Sequence, residues 1–173
     1  MNAVNTFMKL CLSHGSENDY IYILQWLKSI FWMTEFTRET IPIIVLGNRA
    51  TMLWLAFLKQ CFGEGYSEVI SDPDQMTNDL IKNKLIIPVS VDKDNMEEMK
   101  TRLLDFHSCM LAGKFFVITN DIEIAFAMES TSFKIIGKGY YVSFNTRDIL
   151  NNFEYVIKNN IGPSIIKNIA TMK

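Results

Sequence analysis

Three apolar runs, each only as long as a β-strand, constrain the fold of this chain most strongly. They cover residues 41–46 (IPIIVL), 85–91 (LIIPVSV) and 114–119 (KFFVIT). Because odd and even positions are apolar alike, both faces of each strand would be buried, as in the middle of a parallel sheet covered by helices. Segments with helical periodicity separate the runs. The alternation predicts an α/β sandwich of three layers with a mainly parallel central sheet.

The helical segments have recognisable ends. A helix is predicted over residues 17–33, with Ser16 as its N-cap, and another over residues 50–62, with Gly63 as its stop. A further helix is predicted to start at Asp94 or Asn95. The remaining elements are a short strand over 68–70, a helix opened by the Asp-Pro pair at 72–73 and running to about 83, a hairpin or one broken strand over 133–136 and 140–144, and helices over 146–158 and 163–171.

The composition predicts one folded domain. The chain has 173 residues, 49% of them hydrophobic, and no Pro/Gly/Ser-rich linker divides it. We expect a helical lead-in over 1–40, an α/β core over 41–145 and C-terminal helices over 146–173. Seventeen basic and nineteen acidic side chains give a formal charge of −2. This balance argues against a protein that binds nucleic acid mainly through contacts with the phosphates.

The sequence carries no sign of a membrane span, a disulfide framework or a metal site. Its longest apolar run is far shorter than the roughly 20 residues that cross a bilayer, and the N-terminus lacks the pattern of a signal peptide. Three widely spaced cysteines indicate a reducing, intracellular compartment. The pairs Cys11/His14 and His107/Cys109 do not have the spacing of a known zinc finger, so we expect no metal.

Several segments follow one another in the order of a known ATPase core. They are the tryptophan-containing helix 20–33, the strand 41–46, the helix 49–66 with its Phe-Gly-acid-x-Tyr ending, and the segments 78–92, 114–121 and 132–144. Together they resemble the P-loop, AAA+-like ATPase domain of superfamily 3 helicases of viruses and mobile elements. The resemblance implies a P-loop-like fold, Mg-ATP as the family's cofactor and a DNA replication assembly as the setting. It also implies a homo-oligomer and a location in the cytoplasm or nucleus of the host.

The first motif departs from the family's pattern. Cradling a phosphate needs a glycine-rich loop, then a lysine for charge and a hydroxyl for magnesium. The turn here offers Gly47, Asn48 and Arg49 as the candidate nucleotide-binding residues. Arg49 supplies a positive charge, but Ala50 cannot bind a metal. Whether Gly47 requires a positive φ decides how freely it can be replaced.

The second motif and the sensor are altered too. The acidic positions of the second motif carry Val89 and Ser90, and Asp92 follows where we expect it to cap the next helix. Asn120 lies at the place of the polar sensor residue. An equally physical interpretation is a turn or a helix cap at the end of the strand.

The place of the arginine finger is occupied by Thr131 and Ser132. The finger needs a planar guanidinium, which a lysine does not supply. The nearby basic and aromatic residues instead suggest a weak nucleic-acid or partner contact, by charge and by stacking. These candidate contact residues are Lys134, Lys138, Tyr140 and Arg147.

Concerted loss of these motifs predicts a catalytically defective domain of the superfamily 3 helicase type. It would bind no cofactor and would act as a structural or protein-binding component of a replication assembly. One alternative is a divergent, active NTPase or helicase that uses Mg-ATP, with Arg49, Asp92 and Asn120 as its catalytic residues. The other is an unrelated intracellular α/β interaction module.

Overall fold

The chain is an α/β protein. The computed structural model describes residues 2–31, 40–108, 112–139 and 145–171. Within these ranges it contains four β-strands and eight α-helices. The strands are β1 (Ile41–Val45), β2 (Ile87–Ser90), β3 (Phe115–Thr119) and β4 (Phe133–Ile135). The helices are α1 (Ala3–Phe7), α2 (Glu17–Phe31), α3 (Asn48–Phe62), α4 (Asn78–Asn83), α5 (Met96–Ser108), α6 (Ile122–Met128), α7 (Arg147–Lys158) and α8 (Gly162–Thr171).

The chain divides into two compact units. The sheet unit consists of Glu35–Val45 and Glu64–Ile135, and holds all four strands with α4, α5 and α6. The helical unit consists of Met1–Thr34, Leu46–Gly63 and Ile136–Lys173, and holds the other five helices. The expectation of a single domain stays a prediction.

The four strands form one parallel sheet in the order β2-β3-β1-β4. The predicted α/β class and parallel sheet are therefore confirmed. Ile43 of β1 lies opposite Val117 of β3, and Ile41 lies opposite Phe133 of β4. β1, the first strand in the chain, is thus an interior strand with a neighbour on each side.

The three predicted apolar runs do form strands, each slightly shorter than predicted. β3 is buried at every position, and the adjacent residues Ile43 and Ile44 of β1 are both fully buried. This is the burial on both faces that an apolar run without alternation predicts. One side of the sheet packs on α5 and α6 in a core that includes Met99, Leu103 and Ile124.

Residues 66–83 differ from the prediction. The expected strand over 68–70 is reduced to isolated bridges at Tyr66 and Ile70. The expected single helix is a 3₁₀ turn over Pro73–Gln75, capped by Asp72, followed by α4, capped by Thr77. A second helix start is needed because Met76, between the two, has an extended ψ of 90°.

The helical unit is built around stacked aromatic rings. Phe7 of α1 stacks on Phe153 of α7 with 4.0 Å between ring centroids. Trp54 of α3 stacks on Phe7 at 6.0 Å and on Phe57 at 5.7 Å. All four side chains are fully buried. These large rings let a helix of only five residues, α1, belong to the core of the unit.

The start of α2 follows the prediction. The Ser16 hydroxyl accepts a hydrogen bond from the Asp19 N–H at 3.3 Å. Residues 32 and 33, at the predicted end of this helix, and the predicted strand segment 140–144 lie outside the described residues. Helices α1 and α6, and the π-helical turn Met8–Leu12, were not predicted from the sequence.

Candidate functional site

The turn between β1 and α3 consists of two residues, Leu46 and Gly47. Gly47 is the N-cap of α3 and has φ −68° and ψ 167°, an extended conformation that any residue adopts. Its carbonyl accepts hydrogen bonds from the N–H and the hydroxyl of Thr51, both at 2.9 Å. A Cβ on Gly47 would meet no atom within 4 Å. Gly47 therefore needs no positive φ.

Arg49, the candidate residue for supplying positive charge to a bound nucleotide, is hydrogen-bonded to α7. Its Nη2 donates to Asn151 Oδ1 at 2.7 Å and to Glu154 Oε2 at 2.8 Å. The other oxygen of Glu154 lies 3.0 Å from Lys158 Nζ. Two cations thus share one carboxylate, and the Arg49 guanidinium joins the start of α3 to the middle of α7. Its neighbour Asn48 is exposed in the first turn of α3.

These contacts lower the pKa of Glu154 from its usual value of 4.5. The largest cause is the hydrogen bond with Lys158, followed by the one with Arg49. A carboxyl whose pKa is lower in the folded state stabilises the fold above its unfolded pKa. The contribution of Glu154 is therefore present above about pH 4.5 and is lost as the pH falls through its folded pKa.

Asp92 lies in the turn just before α5, close to where a helix cap was predicted. Its Oδ1 accepts from the N–H groups of Asp94 at 2.8 Å and Asn95 at 3.0 Å. Asn95 returns the contact, since its Oδ1 accepts from the Asp92 N–H at 2.9 Å and its Nδ2 donates to the Ser90 carbonyl at 3.0 Å. The Asp92 carboxylate is thus bonded to the turn that starts the helix.

Asn120 follows β3 and is exposed, while its neighbour Asp121 makes the helix cap. Asp121 accepts from the Glu123 N–H at 2.9 Å and its own N–H donates to Thr119 Oγ1 at 3.1 Å. Ser90 lies opposite Ile118 in the sheet. Asp92 and Asn120 each come two residues after this pair, so both lie at the carboxyl end of the sheet. The structure brings these two candidates to the same edge.

The candidate contact residues are spread over both units. Lys134 lies in β4 of the sheet unit, opposite Pro42, and is partly buried. Lys138, in the turn after β4, and Arg147, the first residue of α7, are exposed in the helical unit. Tyr140 lies outside the described residues.

Burial favours the protonated thiol at Cys11 and Cys61, the two cysteines that the structure describes. Burial raises the pKa of Cys11 to about 11 and that of Cys61 to about 12. Metal binding and nucleophilic attack both need the thiolate, so these environments oppose both roles. Cys109 is outside the described residues. Across the described ranges, no three His, Cys, Asp or Glu side chains converge as a metal site would require.

The partners of Arg49 were not predicted from the sequence. Glu154 and Lys158 are four residues apart on one helix, a spacing that the sequence displays. The bond to Arg49, however, joins residues 105 positions apart, and no local pattern predicts it.

In the part of the chain that the structure describes, no helix has the length and apolar character to cross a membrane. Comparisons with protein-family models, with curated proteins and with solved structures find no match to this chain.

Proposed function

We propose that this chain is a domain of the superfamily 3 helicase type that does not hydrolyse nucleotide. It serves as a structural or protein-binding component of a replication assembly in a virus or mobile element. Two features support the fold part of the proposal. The first is that the segments that resemble the family follow one another in the family's order. The second is that β1, the strand before the altered phosphate loop, is an interior strand of a parallel sheet, and α/β proteins bind ligands at the carboxyl ends of such strands.

One observation supports the loss of catalysis: the candidate side chains for nucleotide binding and catalysis form hydrogen bonds within the fold. The Arg49 guanidinium is bonded to α7. The Asp92 carboxylate is hydrogen-bonded to backbone N–H groups of the turn before α5. A group that holds Mg-ATP must instead offer its charge to the ligand.

The connection between β1 and α3 also fits Mg-ATP poorly. A phosphate cradle needs several consecutive N–H groups that face the ligand, usually from a glycine-rich loop. Here Leu46 and Gly47 are the whole connection, and Ala50 and Thr51 follow within the helix. The Thr51 hydroxyl donates to the Gly47 carbonyl at 2.9 Å. The residues present therefore do not match the requirements of bound Mg-ATP.

The divergent NTPase stays an alternative because Asn120 and Asp92 share the carboxyl end of the sheet. It requires Arg49 to leave Glu154, and Asp92 to leave its hydrogen bonds in the turn before α5, when nucleotide binds. The unrelated interaction module shares the protein-binding role with our proposal and differs from it in family and in not belonging to a replication assembly.

Thermal melting with millimolar Mg-ATP, Mg-ADP and Mg-GTP tests the proposal. We expect no shift of the melting temperature with any of them. A ligand at about 100 times its Kd would add about 2.7 kcal/mol to the native state, which is roughly 5–10 °C for a domain of this size.

Arg49→Ala and Arg147→Ala are matched controls, since each removes one exposed arginine of the helical unit. Neither should change the melting temperature by more than a few degrees, because exposed ion pairs contribute little. A nucleotide-dependent shift that Arg49→Ala abolishes and Arg147→Ala preserves would favour the divergent NTPase.

A further inference from the structure

Helices α3 and α7 carry the two most exposed large apolar side chains in the described part of the chain. Met52 of α3 is 71% exposed and Tyr155 of α7 is 64% exposed, and both lie in the helical unit. Methionine and aromatic side chains are enriched at the buried centre of protein interfaces relative to the rest of the surface. A partner that covers this side of the helical unit would therefore remove the most exposed apolar groups from water.

On α3 the exposed side is one narrow stripe. Its residues are spaced three or four positions apart, and they are Arg49, Met52, Ala56 and Lys59. An apolar side chain and a small one thus lie between two cations. The stripe is about 15 Å long, at 1.5 Å per residue. α3 contains no acidic residue, so nothing on this helix offsets its positive charge.

α7 repeats this arrangement. Its exposed stripe has the same spacing and consists of Arg147, Asn151, Tyr155 and Lys158. An aromatic side chain again lies between two cations. The side chain of Lys158 is 72% exposed. The acidic residues of α7 are Asp148 and Glu154, so the four cations of the two helices keep an excess of two positive charges.

Hydrogen bonds hold the two stripes side by side within the helical unit. Near the start of α3, Arg49 Nη2 donates to Asn151 Oδ1 at 2.7 Å. Near its end, Gln60 Nε2 donates to the Ile157 carbonyl oxygen at 2.8 Å. The two helices therefore run in the same general direction. Their stripes form one surface, here called the α3/α7 surface, with an apolar group between two cations on each helix.

We propose that the α3/α7 surface binds an acidic, amphipathic helix of another protein. Carboxylates of that helix meet the cations, and its apolar side chains cover Met52 and Tyr155. Two neighbouring helices offer a groove to a third, and a helix of about three to four turns matches the length of the stripes. The proposal rests on the proposed function in treating the chain as a protein-binding component, and it names the chemistry of the partner.

Charge and side-chain chemistry favour a protein over a nucleic acid at this surface. A nucleic acid is held mainly by an excess of cations along its phosphates. Here the Glu154 carboxylate lies between two of the four cations, 2.8 Å from Arg49 Nη2 and 3.0 Å from Lys158 Nζ. Met52 has no ring on which a base could stack, whereas its flexible thioether adapts to an apolar partner side chain.

Binding of synthetic peptides to the full chain tests the proposal. The probe is a fluorescent peptide of about 18 residues, with Leu on one side of the helix and Glu on the other. One control peptide has Lys in place of every Glu, and a second has the acidic composition in scrambled order. Fluorescence anisotropy measures the Kd at about 50 mM and about 500 mM NaCl.

We expect the acidic amphipathic peptide to bind at least about tenfold more tightly than either control peptide at low salt. Its Kd should rise at high salt, because salt screens exposed charges. An acidic peptide that does not bind, or binds no better than the scrambled or the basic one, would overturn the proposal.

Substitutions identify the surface. Met52→Ser with Tyr155→Ser should raise the Kd at least about tenfold, and Lys158→Glu at least about threefold. Ile21→Ser and Lys167→Glu are the matched controls, since they change an exposed apolar and an exposed basic residue elsewhere in the helical unit. Both controls should bind as the wild type does. Equal losses in surface and control variants would contradict a contact at the α3/α7 surface.

Met52→Leu with Tyr155→Phe keeps the apolar groups and should bind as tightly as the wild type, and melting curves establish that each variant is folded. Two results assign the surface to another occupant and overturn the proposal. One is single-stranded DNA that binds there more tightly than the acidic peptide. The other is a wild-type dimer that Met52→Ser with Tyr155→Ser dissociates. The Mg-ATP melting test does not involve this surface, so it judges the loss of catalysis separately.

Discussion

Replacing Trp54 by alanine should lower the stability of the fold by about 3–5 kcal/mol, the usual cost of removing a buried large aromatic side chain. Trp54 is fully buried and stacks on Phe7 and Phe57. For a domain of this size the loss corresponds to a melting temperature lower by roughly 6–20 °C. Thermal or urea unfolding followed by circular dichroism measures it.

Trp54→Phe is the matched control. It keeps an aromatic ring in the stack and removes an indole N–H that has no hydrogen-bond acceptor among the described residues. We expect the free energy of unfolding to fall in this variant by well under half as much as in Trp54→Ala. If Trp54→Ala melts like the wild type, the ring is not part of the core. Its place in the helical core makes Trp54 a packing residue.

Replacing Gly137 by alanine should cost about 2–4 kcal/mol, from a strained backbone together with steric overlap. Gly137 has φ +75°, where side chains are disfavoured. An added Cβ would lie 2.6 Å from His14 Cδ2 and 2.9 Å from the Ser13 carbonyl oxygen. The Gly137 N–H also donates to the buried Asp19 carboxylate at 2.7 Å. Movement of the backbone at Gly137 to make room for the Cβ would strain this hydrogen bond.

Gly47→Ala is the control for this prediction, because Gly47 has an extended backbone and open space around it. It should lower the melting temperature by at most a few degrees, because alanine is a poorer N-cap than glycine, whereas Gly137→Ala should lower it by roughly 5 °C or more. Equal effects of the two substitutions would show that the close approach at Gly137 is relieved by movement of the residues 13–14.

The main strands could be predicted from the sequence because burial on both faces leaves a uniform apolar run. β1 and β3 follow this rule closely. The short elements could not be predicted, since a helix such as α1 has too few residues to display a period. Its formation depends on Phe7 stacking on Phe153, a contact between distant parts of the chain.

The contacts of the candidate site are likewise of two kinds, local ones that the sequence predicts and long-range ones that it does not. The hydrogen bonds of Asp92 are local, because its carboxylate accepts from N–H groups two and three residues later, and Asp in turns commonly does this. The bond of Arg49 to Glu154 and that of Asp19 to Gly137 join residues more than 100 positions apart. Such pairs depend on the packed fold, so a single sequence does not reveal them.

Phosphate release from Mg-ATP, with and without single-stranded DNA, tests most directly whether the groups at the nucleotide positions serve only the fold. The wild type, Arg49→Ala and Arg147→Ala should be compared at millimolar ATP. We predict that all three release phosphate at the background rate of the buffer. A wild-type rate above background that falls in Arg49→Ala and persists in Arg147→Ala would contradict the proposal and identify an active NTPase.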